Sequence, residues 1–287
     1  MRLNFCKTMA TVPRATLHRA LLVSGILIGT LSLTHLLIGQ AGPETSARTI
    51  PLSKTVRIPL TIVSPDAPPG SNTLLVSDAG TDELPDGPSA FDVFEDGSLL
   101  IADPLNNRLA LFSSSGDYQK EFKIGFAADD VTIMPGGLIL VREASTGDNH
   151  LIDREGKSRP QEGTALPPPA EAKLLTEKTG TVTRPSGGLL QVRFDKPGLR
   201  LLSIQALATD QEGNTFVALE ATSGGEIVDV SKYVQKYAAS GKLVSEVANI
   251  PLDYYVSPVD ELKVRKGVLY QLRSTASEIQ INEWEVN

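Results

Sequence analysis

The chain has 287 residues, with 27 Lys and Arg against 34 Asp and Glu, a net charge of −7. That balance argues against nucleic acid and anionic membrane as partners, since both repel a negative surface. The only cysteine, Cys6, falls in the first residues, so the rest of the chain has neither disulfide nor thiol nucleophile.

Residues 1–19 carry Arg2, Lys7, Arg14 and Arg19 and no acid, and 20–39 (ALLVSGILIGTLSLTHLLIG) are uncharged and mostly apolar. A basic flank before an apolar run, with small residues Gly39 and Ala41 after it, reads as an export signal over 1–41. The twenty-residue run is also long enough to cross a hydrocarbon core of about 30 Å, so the alternative is an uncleaved single-pass anchor through 20–39. Either way the remainder is expected outside the cytoplasm, secreted or periplasmic, or tethered to the membrane. Without 1–41 it carries 23 Lys and Arg against 34 Asp and Glu, a net of −11.

Residues 42–50 read as a linker, and 51–287 as one domain. In that domain 55–63 (TVRIPLTIV) and 72–77 (NTLLVS) predict two strands, with a loop over 65–71. Standing before the first full repeat, they are expected to pair with strands from the far end of the chain and remove open edges.

The region 87–122 reads as four short strands separated by turns centred on Asp96-Gly97, on the stretch after Asp103, and on Ser115-Gly116. It repeats. DVTIMPGGLIL, beginning at Asp130, echoes DVFEDGSLLI, beginning at Asp92; Gly97 and Gly137 are 40 residues apart, as are Gly116 and Gly156. Further copies centre on Gly213 and Gly241 and on Gly267. Four-stranded units at a period of about 40–50 residues predict an all-β chain folded as a β-propeller, with six blades expected from the length.

The residues Gly87-Pro88-Ser89-Ala90-Phe91-Asp92-Val93, the turn Asp96-Gly97, and Ala102-Asp103 followed by Asn106-Asn107-Arg108-Leu109 resemble the NHL repeat. The match is good in this unit; later units keep the turn glycines and lose the Asn-Asn-Arg. The resemblance implies an NHL-like propeller and leaves the activity open, because propellers of this kind serve as binding platforms, lyases and lactonases.

Residues 164–173 (TALPPPAEAK) break the pattern, and a degenerate unit follows over 174–204, with strands expected at 189–194 and 199–204. The unit around Gly213 and Gly241 carries an insertion at 223–233 (SGGEIVDVSKY). Insertions in repeat arrays gather on one face, often the binding face, which makes Glu226 and Asp229 candidate binding residues. Longer hairpin strands account for the insertion equally well. Asn106, Asn107 and Arg108 are the other binding candidates. Their structural alternative is a left-handed turn at Asn107 with Arg108 paired to Asp103.

Of three histidines only His150 lies beyond the signal, too few for a triad or a histidine metal site, and it reads as a surface turn residue. Asp92, Asp130, Asp210 and Asp260 recur along the repeats. The favoured expectation is that they accept hydrogen bonds from turn or neighbouring-blade amides; the other is a divalent metal at a central channel. No catalytic residue, metal site or cofactor is assigned. The reading is an exported, non-catalytic scaffold for a protein, peptide or glycan, and its alternative a metal-dependent lactonase or hydrolase of the propeller class.

Overall fold

The computed structural model describes residues 47–63, 73–77, 84–159, 171–225 and 229–287. The expected signal or anchor, 1–41, and the candidate Glu226 lie outside them. The described chain is all-β apart from one short 3-10 turn, Pro104–Asn106.

In chain order the strands are β1 (Arg48–Thr49), β2 (Lys54–Val63) and β3 (Leu74–Ser77), then β4 (Phe91–Val93), β5 (Leu99–Asp103), β6 (Arg108–Phe112) and β7 (Tyr118–Lys123). The second unit gives β8 (Ala128–Ile133), β9 (Ile139–Glu143), β10 (Asn149–Ile152) and β11 (Ser158–Arg159). The degenerate unit gives β12 (Ala172–Leu174), β13 (Thr179–Thr183) and β14 (Leu189–Arg193). Then come β15 (Arg200–Thr209), β16 (Thr215–Thr222), β17 (Val230–Tyr237) and β18 (Leu243–Ile250), and last β19 (Leu262–Arg265), β20 (Val268–Ser274) and β21 (Glu278–Glu285).

These strands form five sheets among the described residues: β4–β7, β8–β11, β12–β14, β15–β18 with β1, and β19–β21 with β2 and β3. We number them sheets 1 to 5 in that order. Six blades were expected from length. Five is the count among the described residues, and β15–β18 are long strands that use more chain than a unit of about 40 residues. The stretch 199–204 was assigned to the degenerate unit. It is instead the start of β15, which continues to Thr209 through two register shifts and pairs with β16.

Side-chain chemistry explains why these segments are strands. Leu99–Asp103 is buried at every position, as an inner strand covered on both faces must be. In β14 burial alternates, with Leu190 and Val192 inside and Leu189, Gln191 and Arg193 outside. The cores lie between neighbouring sheets. Phe91, Val93, Leu99 and Ile101 of sheet 1 pack against Val56, Ile58, Ile279 and Ile281 of sheet 5. Ala90, Ala102 and Leu109 of the first unit meet Val131, Ile139 and Val141 of sheet 2. Phe216, Val234 and Val247 of sheet 4 meet Leu269 and Trp284 of sheet 5. Val182, Leu190 and Val192 of sheet 3 meet Leu219 and Tyr233 of sheet 4. Sheets stacked face to face in the order 2–1–5–4–3, each built on an antiparallel meander and two of them extended by a parallel strand, are the arrangement of a β-propeller.

Closure follows the expectation. β2 runs antiparallel to β21, from Lys54↔Glu283 to Pro59↔Glu278, and β3 adds to β2 in parallel. Within the stretch read as a linker, Arg48 and Thr49 pair in parallel with Ser245 and Glu246 of β18. Ile50 is 4% exposed in the same core cluster as Trp284.

Every meander has a turn end and a loop end. Gly97, Gly116, Gly137, Gly156, Gly213, Gly241 and Gly267 mark the turn end, all at positive φ. Turn ends of different sheets meet: Lys266 Nζ donates to the Glu95 carbonyl at 2.9 Å, Arg184 to that of Ala239 at 3.1 Å, and Lys120 to that of Arg154 at 2.8 Å. At Gly97 (φ 85°) an added Cβ would approach Ser114 Cβ at 3.3 Å, and at Gly137 (φ 80°) the Arg154 guanidinium at 2.3 Å. A β-branched residue in this region is strained by about 1–3 kcal/mol. Gly97→Val and Gly137→Val are therefore expected to melt several degrees below the parent, and unchanged melting temperatures in both would refute the turn assignment.

Candidate functional site

The candidate site is the loop end of sheets 1, 2, 4 and 5, where charged side chains converge. Asp260 immediately precedes β19 and bridges in parallel to Ala90, just before β4. Burial pushes its carboxyl above the ordinary value; Lys263, with which it pairs, opposes that, and the negative charges of Asp130 and Asp92 add to it. In sheet 2, Arg142 Nε on β9 donates to Asp129 Oδ1 on β8 at 2.7 Å. Asp130, next along β8, has a buried Oδ1 with no hydrogen-bond partner among the described residues. The result is two ion pairs and one carboxylate oxygen left over.

Beside it a polar chain joins sheets 4 and 5. Lys232 of β17 is 8% exposed, and its ammonium lies between Glu220 Oε1 of β16, at 3.0 Å, and Glu261 Oε1, with which it is in direct contact. Tyr254 donates its hydroxyl to Glu261 Oε2, and Gln271 Nε2 donates to Tyr254 Oη at 2.9 Å. Asn282 Nδ2 then donates to Gln271 Oε1 at 3.1 Å, and Thr55 Oγ1 of the closing strand donates to Asn282 Oδ1 at 2.9 Å. Burial, reinforced by the Glu220 charge, pushes the Glu261 carboxyl up to about 7. Glu220 goes the other way: burial opposes, but Lys232 and Ser203 hold it below its ordinary value.

The raised Glu261 carboxyl has a consequence for stability. A group that holds its proton more tightly when folded contributes stability that is fully present below its unfolded value near 4.5 and is lost as pH rises through about 7. The melting temperature is expected to fall between pH 5 and pH 8, and to fall less in Glu261→Gln. Equal slopes in melts of the two proteins would show that Glu261 does not titrate there.

The sequence candidates take these places. Asn107 caps the 3-10 turn at φ 50°. Asn106 Nδ2 donates to Asp103 Oδ2 at 2.7 Å. Arg108, 4% exposed, donates through Nε to Asp103 Oδ2, through Nη1 to Glu121 Oε2 and through Nη2 to the Thr73 carbonyl, each at 2.8 Å. This is the turn-and-ion-pair arrangement given as their structural alternative. Asp103 is fully buried, and burial raises its carboxyl despite the Asn106 and Arg108 bonds. Asp229 is exposed, in the connection between β16 and β17. The insertion itself lengthens that hairpin, whose ladder runs from Thr215↔Tyr237 to Thr222↔Val230.

The recurring aspartates do not share one position. Asp92 lies within β4, Asp130 within β8, Asp210 in the turn after β15 and Asp260 before β19. Two of them do accept the expected amides: Asp92 from Ile133 of the neighbouring sheet at 2.7 Å, and Asp210 from Asn214 of its own turn at 2.7 Å. Among the described residues no group of three or more His, Cys, Asp or Glu is placed to hold a metal ion. His150 is a strand residue in β10 instead of a turn residue; its ring lies 4.4 Å from that of Phe126 and 3.2 Å from Glu143 Oε2. Sequence reasoning missed Glu220, Lys232 and Glu261, because their meeting depends on how two sheets stack. The available signal was a Lys and a Glu opposite each other in the β16–β17 hairpin.

No family model matches the sequence, so the likeness to the NHL repeat rests on the first unit's residues alone. No curated protein matches it either. Among solved structures the chain is similar to a streptogramin B lyase, at 12% identity and TM-score 0.25 over 69% of this chain and 65% of that one, just under two thirds of its length. It is also similar to virginiamycin B lyase from Staphylococcus aureus, at 12% identity and TM-score 0.32 over 80% of this chain and 99% of that one. A third is a gluconolactonase from Xanthomonas campestris, at 11% identity and TM-score 0.34 over 83% of this chain and 100% of that one. None of these values carries an activity over to this chain.

Proposed function

We propose that the chain is an extracytoplasmic β-propeller, exported or anchored by 1–41, that binds a protein, peptide or glycan at the loop end of its sheets. The observation that supports this is the buried Oδ1 of Asp130, without a hydrogen-bond partner among the described residues, near the ion pairs Arg142–Asp129 and Lys263–Asp260. A buried carboxylate oxygen without a donor costs free energy, and a ligand amine or hydroxyl arriving there recovers it. Arg142 is paired with Asp129, and Lys263 with Asp260. The alternative is a metal-dependent lactonase or hydrolase of the propeller class.

The test is affinity capture by the full chain from the native exported fraction, with peptide and glycan arrays in parallel. A retained partner whose binding falls at least tenfold in Asp130→Ala is the expected result. Capture that is equal in parent and variant would sink the proposal.

A further inference from the structure

At the opposite end of β19, a cavity of about 500 Å³ opens between the turn ends of sheets 4 and 5. Its size is within the range of small-molecule sites. The walls differ in charge. The sheet 4 wall is the turn after β15, with Asp210, Gln211 and Glu212; the sheet 5 wall is the turn after β19, with Arg265 and Lys266.

Lys236 of β17 also lines the cavity. It is 9% exposed, donates one hydrogen bond to the Val286 carbonyl at 3.1 Å, lies 3.7 Å from Asp210 Oδ2, and rests 5.4 Å from the Phe216 ring centroid. An ammonium has three donors, so this buried one keeps donor capacity directed at neither neighbour. Arg265 is ion-paired with Asp92 and donates to the Ile133 carbonyl, and it adds positive charge to this wall. Lys266 is exposed and bonded only to a backbone carbonyl and, at 3.9 Å, to Glu95. Asp210 is occupied by Asn214, which leaves Glu212, exposed on the acidic wall, as its open carboxylate.

We infer that this cavity binds a small zwitterion, a free amino acid or a dipeptide. Its carboxylate meets Lys236 and Lys266, and its ammonium meets Glu212. A simple anion would leave the acidic wall opposed to it, and a simple cation would meet three positive side chains. Only a ligand with both charges, separated by a few bonds, satisfies both walls and the spare donors of Lys236. Asp130 lies in β8 and does not line the cavity at the end of β19, so either proposal can fail without the other.

Calorimetric titration of the full chain with alanine and alanyl-alanine tests the inference, with N-acetylalanine and alaninamide as single-charge controls. Saturable binding of at least one zwitterion is expected, weakened tenfold or more in both controls. Glu212→Gln and Lys266→Gln alter exposed side chains and leave the fold intact; each is expected to weaken zwitterion binding at least fivefold. Lys236→Met is expected to abolish it. Absence of binding by both zwitterions, equal binding of the controls, or parental affinity in both surface variants would overturn the assignment.

Discussion

Removal of residues 1–64 is expected to leave a protein that no longer melts cooperatively, whereas removal of 1–47 is expected to leave the melt unchanged. The longer deletion takes away β1, Ile50 and the whole of β2. Val56 and Ile58, 3% and 1% exposed, are then missing from the core shared with sheet 1, and Ile50 from the core around Trp284. Each such side chain contributes about 1.5–3 kcal/mol on burial, and a whole domain has only about 5–15 kcal/mol to lose. The ladder from Lys54↔Glu283 to Pro59↔Glu278 goes too, which exposes the edge of β21 to other chains. Tryptophan emission is the direct readout, because Trp284 is 4% exposed and loses Ile50 as a neighbour. A red shift with loss of cooperativity is expected for the long deletion only. A soluble, cooperative product with parental emission would sink the closure model.

Asp92→Ala is expected to cost about 1.5–3 kcal/mol, the range for hydrogen bonds to a charged group, since the Arg265 left behind is 36% exposed. Asp92 is fully buried in sheet 1. It accepts the Ile133 amide of sheet 2 and is held by the Arg265 guanidinium of sheet 5, with Arg265 Nε at 3.0 Å from Oδ1. One carboxylate thus ties three sheets. Its loss strands a buried amide and an arginine that also lines the junction. Denaturant unfolding of the single variants and the double variant tests the coupling: Arg265→Ala should cost less in the Asp92→Ala background than in the parent. Equal costs in both backgrounds would show that the two residues act independently.

The sequence made the repeating elements readable because they are local. A turn glycine at positive φ, set between short apolar runs, announces a hairpin wherever it stands, and Gly97, Gly137, Gly213 and Gly267 all do so. Closure was readable because 55–63 and 72–77 stand before the first full repeat. Sheet number was not, since a length divided by a period ignores that β15 spans ten residues and that β3 adds to an existing edge. The Asn106–Arg108 turn was legible down to its ion pair, since its partners lie within a few residues or in the same sheet. The Glu220–Lys232–Glu261 contact was not: Lys232 and Glu261 are 29 residues apart and meet only once sheet 5 stacks on sheet 4. Asp130 was singled out for recurrence, yet what distinguishes it is an oxygen without a donor, a property of its surroundings.

The pairing of β2 with β21 also sets an order of events. Lys54 and Glu283, joined in the folded protein, are separated by 229 residues, so the strand that completes sheet 5 is made well before its partner. Until β21 is made it has no β21 edge to pair with. Contacts this distant in sequence are slow to form, and a waiting edge is an invitation to wrong partners. The composition of β2 answers that hazard. Lys54 and Arg57 charge its exposed face, and Pro59 removes one amide donor from the strand. A chain lacking those three residues would gain β-propensity and lose its protection for as long as the ring stays open.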